Sequence, residues 1–134
     1  MDVQDPTTDT GGADETAERA IGRHLGAVVA RDLAAYRATV HPDVTVIIPS
    51  GDMLSGADEV VEFHREWFAG GDWTYTVDHR RSTTTGATAT AVVDVTYVGG
   101  PGAEPSRFRM GLTFTRAGGA WLLIHDQCTV LRSE

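Results

Sequence analysis

The chain has 134 residues, of which 41% are hydrophobic, and this fits one globular domain with a substantial core. Its formal net charge of −8 argues against nucleic acid or an anionic membrane surface as a partner. The single cysteine, Cys128, excludes an internal disulfide, and neither a membrane span nor a signal peptide is evident, so a cytoplasmic protein is expected.

The first elements predicted along the chain are a tail and a helix. Residues 1–13 are polar without apolar periodicity, which is typical of a disordered tail and leaves 14–134 as the folded domain. Asp14 is a candidate N-cap for a helix that runs to about Asp32. The apolar positions of this helix fall at helical spacing and must be buried: Ile21, Leu25, Val28 and Val29.

Two further helices and one strand are predicted before residue 70. A short helix covers about Leu33 to Val40, and the β-branched run from Val44 to Ile48 predicts a strand. Ser55-Gly56-Ala57-Asp58 has the pattern of a capping box, in which the Ser side chain would cap the helix. This pattern predicts a third helix from about Gly56 to Ala69.

In the rest of the chain, the residue pattern predicts four long strands that are separated by glycine-containing turns. The strands cover about Trp73 to Thr83, Ala87 to Val98, Ser106 to Thr115 and Ala120 to Leu131. Helices that precede an antiparallel meander indicate an α+β fold, with three N-terminal helices packed on one face of a curved antiparallel sheet.

The last predicted hairpin resembles that of a known superfamily. Arg116-Ala117-Gly118-Gly119-Ala120-Trp121, followed by an apolar strand that becomes polar, is similar to the final hairpin of the nuclear-transport-factor-2-like superfamily, in its SnoaL-like (polyketide cyclase-like) branch. The resemblance covers about residues 14–131. It implies a cone-shaped α+β barrel with an internal cavity and a homodimer formed through the outer sheet face. Members include isomerases, cyclases, hydrolases and non-enzymes, so function must come from the site.

Two members of the superfamily provide reference positions. Compared with ketosteroid isomerase, the position of the oxyanion tyrosine falls on His24, that of the general-base aspartate on Ile48, and a third catalytic position near Leu112. The chain therefore resembles the fold without that enzyme's catalytic groups. Compared with the association domain of calmodulin-dependent kinase, Asp94 replaces a cavity arginine and Gln127 replaces a histidine.

Asp94 is the first candidate catalytic residue because it interrupts the apolar run Ala91-Val92-Val93-Asp94-Val95. A buried carboxyl has a raised pKa, which suits general acid–base catalysis. The alternative is that Asp94 alternates to the outer face and meets solvent or a dimer partner. His64, at helical spacing from Val60, Val61, Trp67 and Phe68, is its candidate partner in proton transfer; otherwise it is a histidine at the edge of the core.

Polarisation of a substrate carbonyl is assigned to His24 and Gln127. His24 lies on the apolar stripe of the first helix, and its alternative role is a boundary histidine bonded to the backbone. Strict alternation places Gln127 and His125 on one face of the last strand, taken as the cavity face, and Asp126 and Cys128 on the other. The pocket wall is predicted to include Trp67, Leu112, Tyr36 and Tyr97.

These residues suggest a cofactor-free enzyme that uses acid–base chemistry on an apolar, carbonyl-bearing small molecule. Isomerisation, cyclisation and dehydration are the reaction types considered. The histidines lack metal-binding spacing, and no dinucleotide or phosphate loop is present, so neither metal nor cofactor is expected. Two alternatives stay open: a non-catalytic ligand-binding or dimeric assembly domain, and epoxide opening by water that Asp94 and Arg109 activate.

Overall fold

The computed structural model describes residues 15–132, so the predicted tail at 1–13 lies outside the described residues. Within these residues, three helices and six strands follow one another along the chain. They are α1 (Ala17–Ala30), α2 (Leu33–Arg37), β1 (Val40–Ile47), β2 (Met53–Ser55), α3 (Ala57–Ala69), β3 (Thr74–Thr85), β4 (Thr88–Val98), β5 (Ser106–Ala117) and β6 (Ala120–Val130).

The six strands form one curved, open sheet in the order β2-β1-β6-β5-β4-β3. Four of the five strand pairings are antiparallel, but β1 runs parallel to β6, so the sheet is mixed and not purely antiparallel as predicted. The helices cover the concave face and enclose the core between them and the sheet. The predicted class, a cone-shaped α+β fold, is confirmed.

Helix α1 lays an apolar stripe against the sheet, and the predicted members Ile21, Leu25 and Val28 are buried, but Val29 lies off this stripe and is 52% exposed. Ile21 is fully buried, and the other buried residues of the helix follow at three- and four-residue intervals. His24 is one of these buried residues. The N-cap is Thr16, whose hydroxyl accepts from the Arg19 N–H at 3.2 Å, and not Asp14. The helix ends at Arg31, which adopts the left-handed conformation at φ 55°.

The start of α3 differs in detail from the predicted capping box. Gly56 is the N-cap at φ 87°, and it has no side chain that could cap the helix. Instead, Glu59 reaches back so that its Oε1 accepts from the Ser55 N–H at 3.1 Å, while Asp58 is exposed. Helix α2 ends at Arg37 and not at Val40, because β1 already begins at Val40.

A β-bulge in β6 changes which side chains face the cavity. Thr113 pairs with His125 and Phe114 pairs with Leu123, so Ile124 is an extra residue in β6 with no counterpart in β5. Side chains normally alternate between the two faces, and one extra residue reverses that alternation for everything that follows. The residues of β6 beyond Ile124 are therefore on the opposite faces from those that strict alternation predicts.

Candidate active site

The concave side of the sheet and the helices enclose a cavity of about 180 Å³. Helices α1, α2 and α3 contribute one wall, and strands β1, β3, β4, β5 and β6 contribute the other. The lining residues are His24, Leu25, Val28, Tyr36, Val46, Ile48, Pro49, Phe63, His64, Trp67, Tyr75, Tyr97, Phe108, Met110, Asp126 and Cys128. Polar atoms in this mostly apolar space come mainly from a small group of buried side chains.

Asp126 is the carboxyl group among the described residues that line the cavity. The residue is only 7% exposed, and no group in residues 15–132 donates a hydrogen bond to its buried Oδ1. Burial raises the pKa of the Asp126 carboxyl from 3.8 to about 7, because the charged form has lost its water. The bulge at Ile124 directs this carboxyl inward, beside Val46 of β1 and Leu112 of β5.

His24 is fixed in one tautomer by a chain of hydrogen bonds. The Thr39 hydroxyl donates its only proton to the Tyr36 carbonyl oxygen at 2.6 Å. The 2.8 Å contact between Thr39 Oγ1 and His24 Nδ1 must then be donated by the imidazole, so Nε2 carries a lone pair. Burial, followed by the nearby His64 and Arg23, lowers the pKa of His24 from 6.5 to about 3. The ring is therefore neutral near pH 7.

His64 is held in the same tautomer by its own helix. Its Nδ1 lies 2.8 Å from the Val60 carbonyl oxygen, which can only accept, so Nδ1 carries the proton and Nε2 is an acceptor. Burial lowers the pKa of His64 to about 4, against the opposite effect of that hydrogen bond. The imidazole stacks on the Tyr36 ring with centroids 4.1 Å apart, and His24 lies 5.2 Å from the same ring.

Two buried tyrosines complete the polar group. Within the described part of the chain, the Tyr36 hydroxyl is buried without a hydrogen-bond partner, while the Tyr75 hydroxyl donates only to Met110 Sδ, at 3.4 Å. Burial, followed by the charge of Asp126, raises the pKa of both hydroxyls well above 10. Both remain protonated at neutral pH and are available as donors to a bound molecule.

Aromatic side chains form the outer wall of the cavity. Trp67 stacks on Trp73 with centroids 4.5 Å apart, and the Trp73 indole N–H donates to the Trp67 carbonyl oxygen at 2.9 Å. Arg31 lies over the Trp73 ring at 3.8 Å and donates to the carbonyl oxygens of Gly71 and Trp73. The left-handed turn after α1 thus holds the tryptophan pair in place.

Asp94 lies on the outer face of the sheet, which corrects its prediction as a cavity residue. It alternates with Val93 and Val95, which point into the core, and it pairs directly across from Arg109 in β5. Arg109 donates from Nε at 2.6 Å and from Nη2 at 2.9 Å to the two carboxylate oxygens, and Arg107 lies 3.8 Å away. These arginines cover the carboxylate, so its burial comes from ion pairing and not from the cavity. The proposed water-activating Asp94–Arg109 pair therefore has no access to the cone.

Gln127 also points outward, and the reason is the bulge at Ile124. Gln127 is exposed, and its Oε1 lies 3.3 Å from Nε2 of His125 on the same face. The residues that strict alternation places outside, Asp126 and Cys128, face the cavity instead. Leu112 is almost completely buried, but it packs in the core and does not line the cavity.

Five of the predicted site residues do line the cavity: His24, His64, Trp67, Tyr36 and Tyr97. Ile48 also lines it, at the position that the ketosteroid isomerase comparison assigns to a general base. The sequence did not identify Asp126, Tyr75 or Thr39 as residues of the site. For Asp126 the sequence did contain a warning. The unbroken apolar run Trp121-Leu122-Leu123-Ile124 was the available signal, because alternation cannot be counted through such a run.

The described residues contain no group of three or more His, Cys, Asp or Glu side chains placed to hold a metal ion. In the same part of the chain, none of the helices combines the length and apolar character needed to cross a membrane.

The family is established by comparison with known proteins. The family model for the SnoaL-like domain matches residues 21–124, which is more than half of the chain. The protein belongs to the SnoaL-like family, within the nuclear-transport-factor-2-like superfamily. No curated protein sequence matches the chain.

Solved structures share the fold at low sequence identity. A provisionally assigned association domain of calcium/calmodulin-dependent protein kinase type II from Thiobacillus denitrificans is 21% identical, with a TM-score of 0.77 over 89% of this chain and 98% of its own. A provisionally assigned NTF2-like dehydratase from Streptomyces avermitilis is 17% identical, with a TM-score of 0.76 over 87% and 94%. A ketosteroid isomerase-like protein from Erwinia carotovora atroseptica is 20% identical, with a TM-score of 0.69 over 87% and 94%.

Proposed function

We propose that the protein is a cofactor-free enzyme that moves protons on a carbonyl-bearing small molecule in the cone, in a reaction of the isomerase or lyase type. The observation that carries the proposal is the buried Asp126 carboxyl. Its pKa of about 7 leaves both the acid and the carboxylate populated near neutral pH. Such a group can accept a proton and return it within one turnover. Asp126 takes the acid–base role first assigned to Asp94.

The proposed reaction begins when the Asp126 carboxylate accepts a proton from the carbon next to the substrate carbonyl. The electron pair of that C–H bond shifts toward the carbonyl oxygen, which becomes an enolate and accepts a hydrogen bond from Tyr36. Protonated Asp126 then returns the proton to another carbon in an isomerisation, or to a departing hydroxyl group that leaves as water. The buried, unpaired Tyr36 hydroxyl supports this role, because donors in an apolar site stabilise developing charge strongly.

The two histidines are proposed to orient the substrate. Because both imidazoles are neutral near pH 7, they are not proton donors in the imidazolium form. Their Nε2 atoms instead accept hydrogen bonds from the substrate. Trp67 and Tyr97 are proposed to contact its apolar part.

Hydrogen–deuterium exchange tests this proposal without a known substrate. A panel of small cyclic ketones is incubated with the protein in D₂O, and loss of the proton next to the carbonyl is followed by ¹H NMR. Asp126→Asn is expected to slow catalysed exchange by at least about 100-fold. Asp94→Asn, on the outer face, is the matched control and is expected to keep the parent rate.

Exchange that is equally fast in Asp126→Asn would refute the assignment of Asp126. If panel members bind but the parent never accelerates their exchange, the protein is a ligand-binding domain and the proposed enzymatic function is wrong.

A further inference from the structure

We infer that the cavity selects an uncharged, single-ring compound that carries both a carbonyl acceptor and a hydroxyl donor, such as a hydroxylated aryl or cyclic ketone. The role of this compound as a substrate rests on the proposed function. Its selection as a ligand rests on the size, walls, charge and hydrogen-bonding groups of the cavity.

The size of the cavity limits the ligand to one ring with small substituents. An apolar protein cavity of about 150 Å³ holds one benzene molecule. The cavity here, at about 180 Å³, has room for such a ring and a few further atoms. A fused multi-ring compound exceeds this volume, so its second ring would have to extend through the mouth.

The walls of the cavity favour a planar ring. Trp67, Tyr75, Tyr97 and Phe108 surround the space, and their rings are arranged edge-to-face, tilted or stacked against their neighbours. Aromatic side chains in such arrangements offer flat faces and edges to a bound ring. Several of these side chains are already fixed by contacts with one another, so binding orders little that was mobile before.

The charges of the cavity disfavour an ionic ligand. No arginine or lysine is among the residues that line it, and both lining histidines are neutral near pH 7. A carboxylate or phosphate would lose its water without gaining a counter-ion, and it would face the partly ionised Asp126. An ammonium group would draw Asp126 into its carboxylate form, but burying the resulting ion pair would cost the hydration of both ions.

The hydrogen-bonding groups define the polar ends of the ligand. In the described structure, Nε2 of His24 and Nε2 of His64 are acceptors without donors. The Tyr36 hydroxyl, on a ring that stacks on His64 and lies 5.2 Å from His24, is a donor without an acceptor. A hydroxyl on the ligand can donate a hydrogen bond to Nε2 of an imidazole, and a carbonyl on the ligand can accept one from the Tyr36 hydroxyl. Leaving any of these groups unpaired after burial has an energetic cost that selects against simpler compounds.

Calorimetric titration at pH 6.5 tests this inference with a matched set of compounds. The reference is 4-hydroxyacetophenone. Acetophenone lacks the hydroxyl, 4-hydroxybenzoate is an anion, 4-hydroxybenzylamine is a cation, and 6-acetyl-2-naphthol has two rings. We expect the reference to bind about tenfold more tightly than acetophenone, the size of effect that one buried hydrogen bond gives, and to bind more tightly than the charged and two-ring compounds by at least as much. Equal or tighter binding of any of the four would overturn the inference.

His64→Phe provides a second measurement. The variant is expected to bind 4-hydroxyacetophenone no more tightly than acetophenone, while the affinity for acetophenone itself is kept. If this variant fails to fold, ¹⁵N NMR of the parent replaces it, and the Nε2 resonance of at least one of the two histidines must shift when the hydroxylated ketone binds. A preference for the hydroxyl that survives in folded His64→Phe, with no Nε2 shift in the parent, would refute the role of the imidazoles.

These experiments can refute the ligand class and the enzymatic function independently of each other. Selective binding without deuterium exchange would leave the ligand class intact and refute the enzymatic function. Exchange on charged or multi-ring ketones, with no preference in calorimetry, would support the enzyme and refute the ligand class.

Discussion

Replacing Asp126 with asparagine should remove a pH dependence from the stability of the protein. The carboxyl has a pKa of about 7 when folded and 3.8 in its ordinary state. Between these values the folded chain holds a proton that the unfolded chain has lost, so the contribution of Asp126 to parent stability is full below pH 3.8 and is lost as pH rises. The slope is about 1.4 kcal/mol per pH unit, and the whole loss is on the order of 4 kcal/mol once pH exceeds 7.

Urea denaturation of the parent and Asp126→Asn at several pH values measures this effect. The series begins at pH 5.5, above the isoelectric point of about 4.9. From pH 5.5 to pH 8, the variant should gain on the order of 2 kcal/mol of unfolding free energy relative to the parent. Titration of His24 and His64 occurs in both proteins and cancels in the difference. Asp72→Asn, the same change at an exposed position, should give a flat difference.

A flat difference for Asp126→Asn as well would refute the reasoning, because it would mean that the carboxyl is solvated in the folded protein. A difference of the opposite sign would mean that a cation pairs with Asp126. The expected result also has a functional meaning. A variant that is inactive, and whose stability has lost this pH dependence, identifies a group that is kept for its chemistry at a cost to the fold near and above pH 7.

Three further perturbations test other parts of the structure. Thr39→Val should destabilise the fold by about 1–3 kcal/mol in urea titrations, because it leaves the buried Nδ1–H of His24 without an acceptor; an unchanged midpoint would contradict this. Arg31→Ala should loosen the stacked tryptophans, seen as a red shift of their fluorescence emission, whereas Arg31→Lys should restore the spectrum only in part because lysine lacks the planar fork. We also propose a homodimer through the outer sheet face, where Val92 is 37% exposed. The variant Val92→Glu should be a monomer in analytical ultracentrifugation, whereas the parent should be a dimer. A monomeric parent would rule the dimer out.

Much of the fold could be predicted because most elements have clear periodicity. The apolar residues of helix α1 recur at helical spacing. In β5 every second residue is apolar, so one face of the strand carries Phe108, Met110, Leu112 and Phe114. Glycine-rich turns mark the ends of the long strands. The parallel pairing of β1 with β6 was not predicted, because β1 is separated from β6 by one helix and four strands and the local pattern does not specify a distant partner.

The candidate site was less predictable than the fold. His24 and His64 were identified because a polar residue on an apolar helical stripe must face the interior. Asp94 is likewise a polar residue in an apolar segment, here a strand. Its side chain points outward, however, and it is buried because it forms an ion pair with Arg109 on the neighbouring strand. Asp126 was assigned to the wrong face because alternation cannot be counted through the apolar run that precedes it, and that run contains the one-residue bulge.

The extra residue at Ile124 makes the chemistry of the cavity depend on the number of residues in β6 as well as on their identity. Deleting that residue would restore strict alternation, so the carboxyl of Asp126 and the thiol of Cys128 would move outside, and the imidazole of His125 and the amide of Gln127 would enter the cone. No polar residue would have been substituted. In this family, a single insertion or deletion in the last strand can therefore exchange one set of reactive groups for another, and an alignment column that holds the same aspartate in two proteins does not establish that they share a catalytic group.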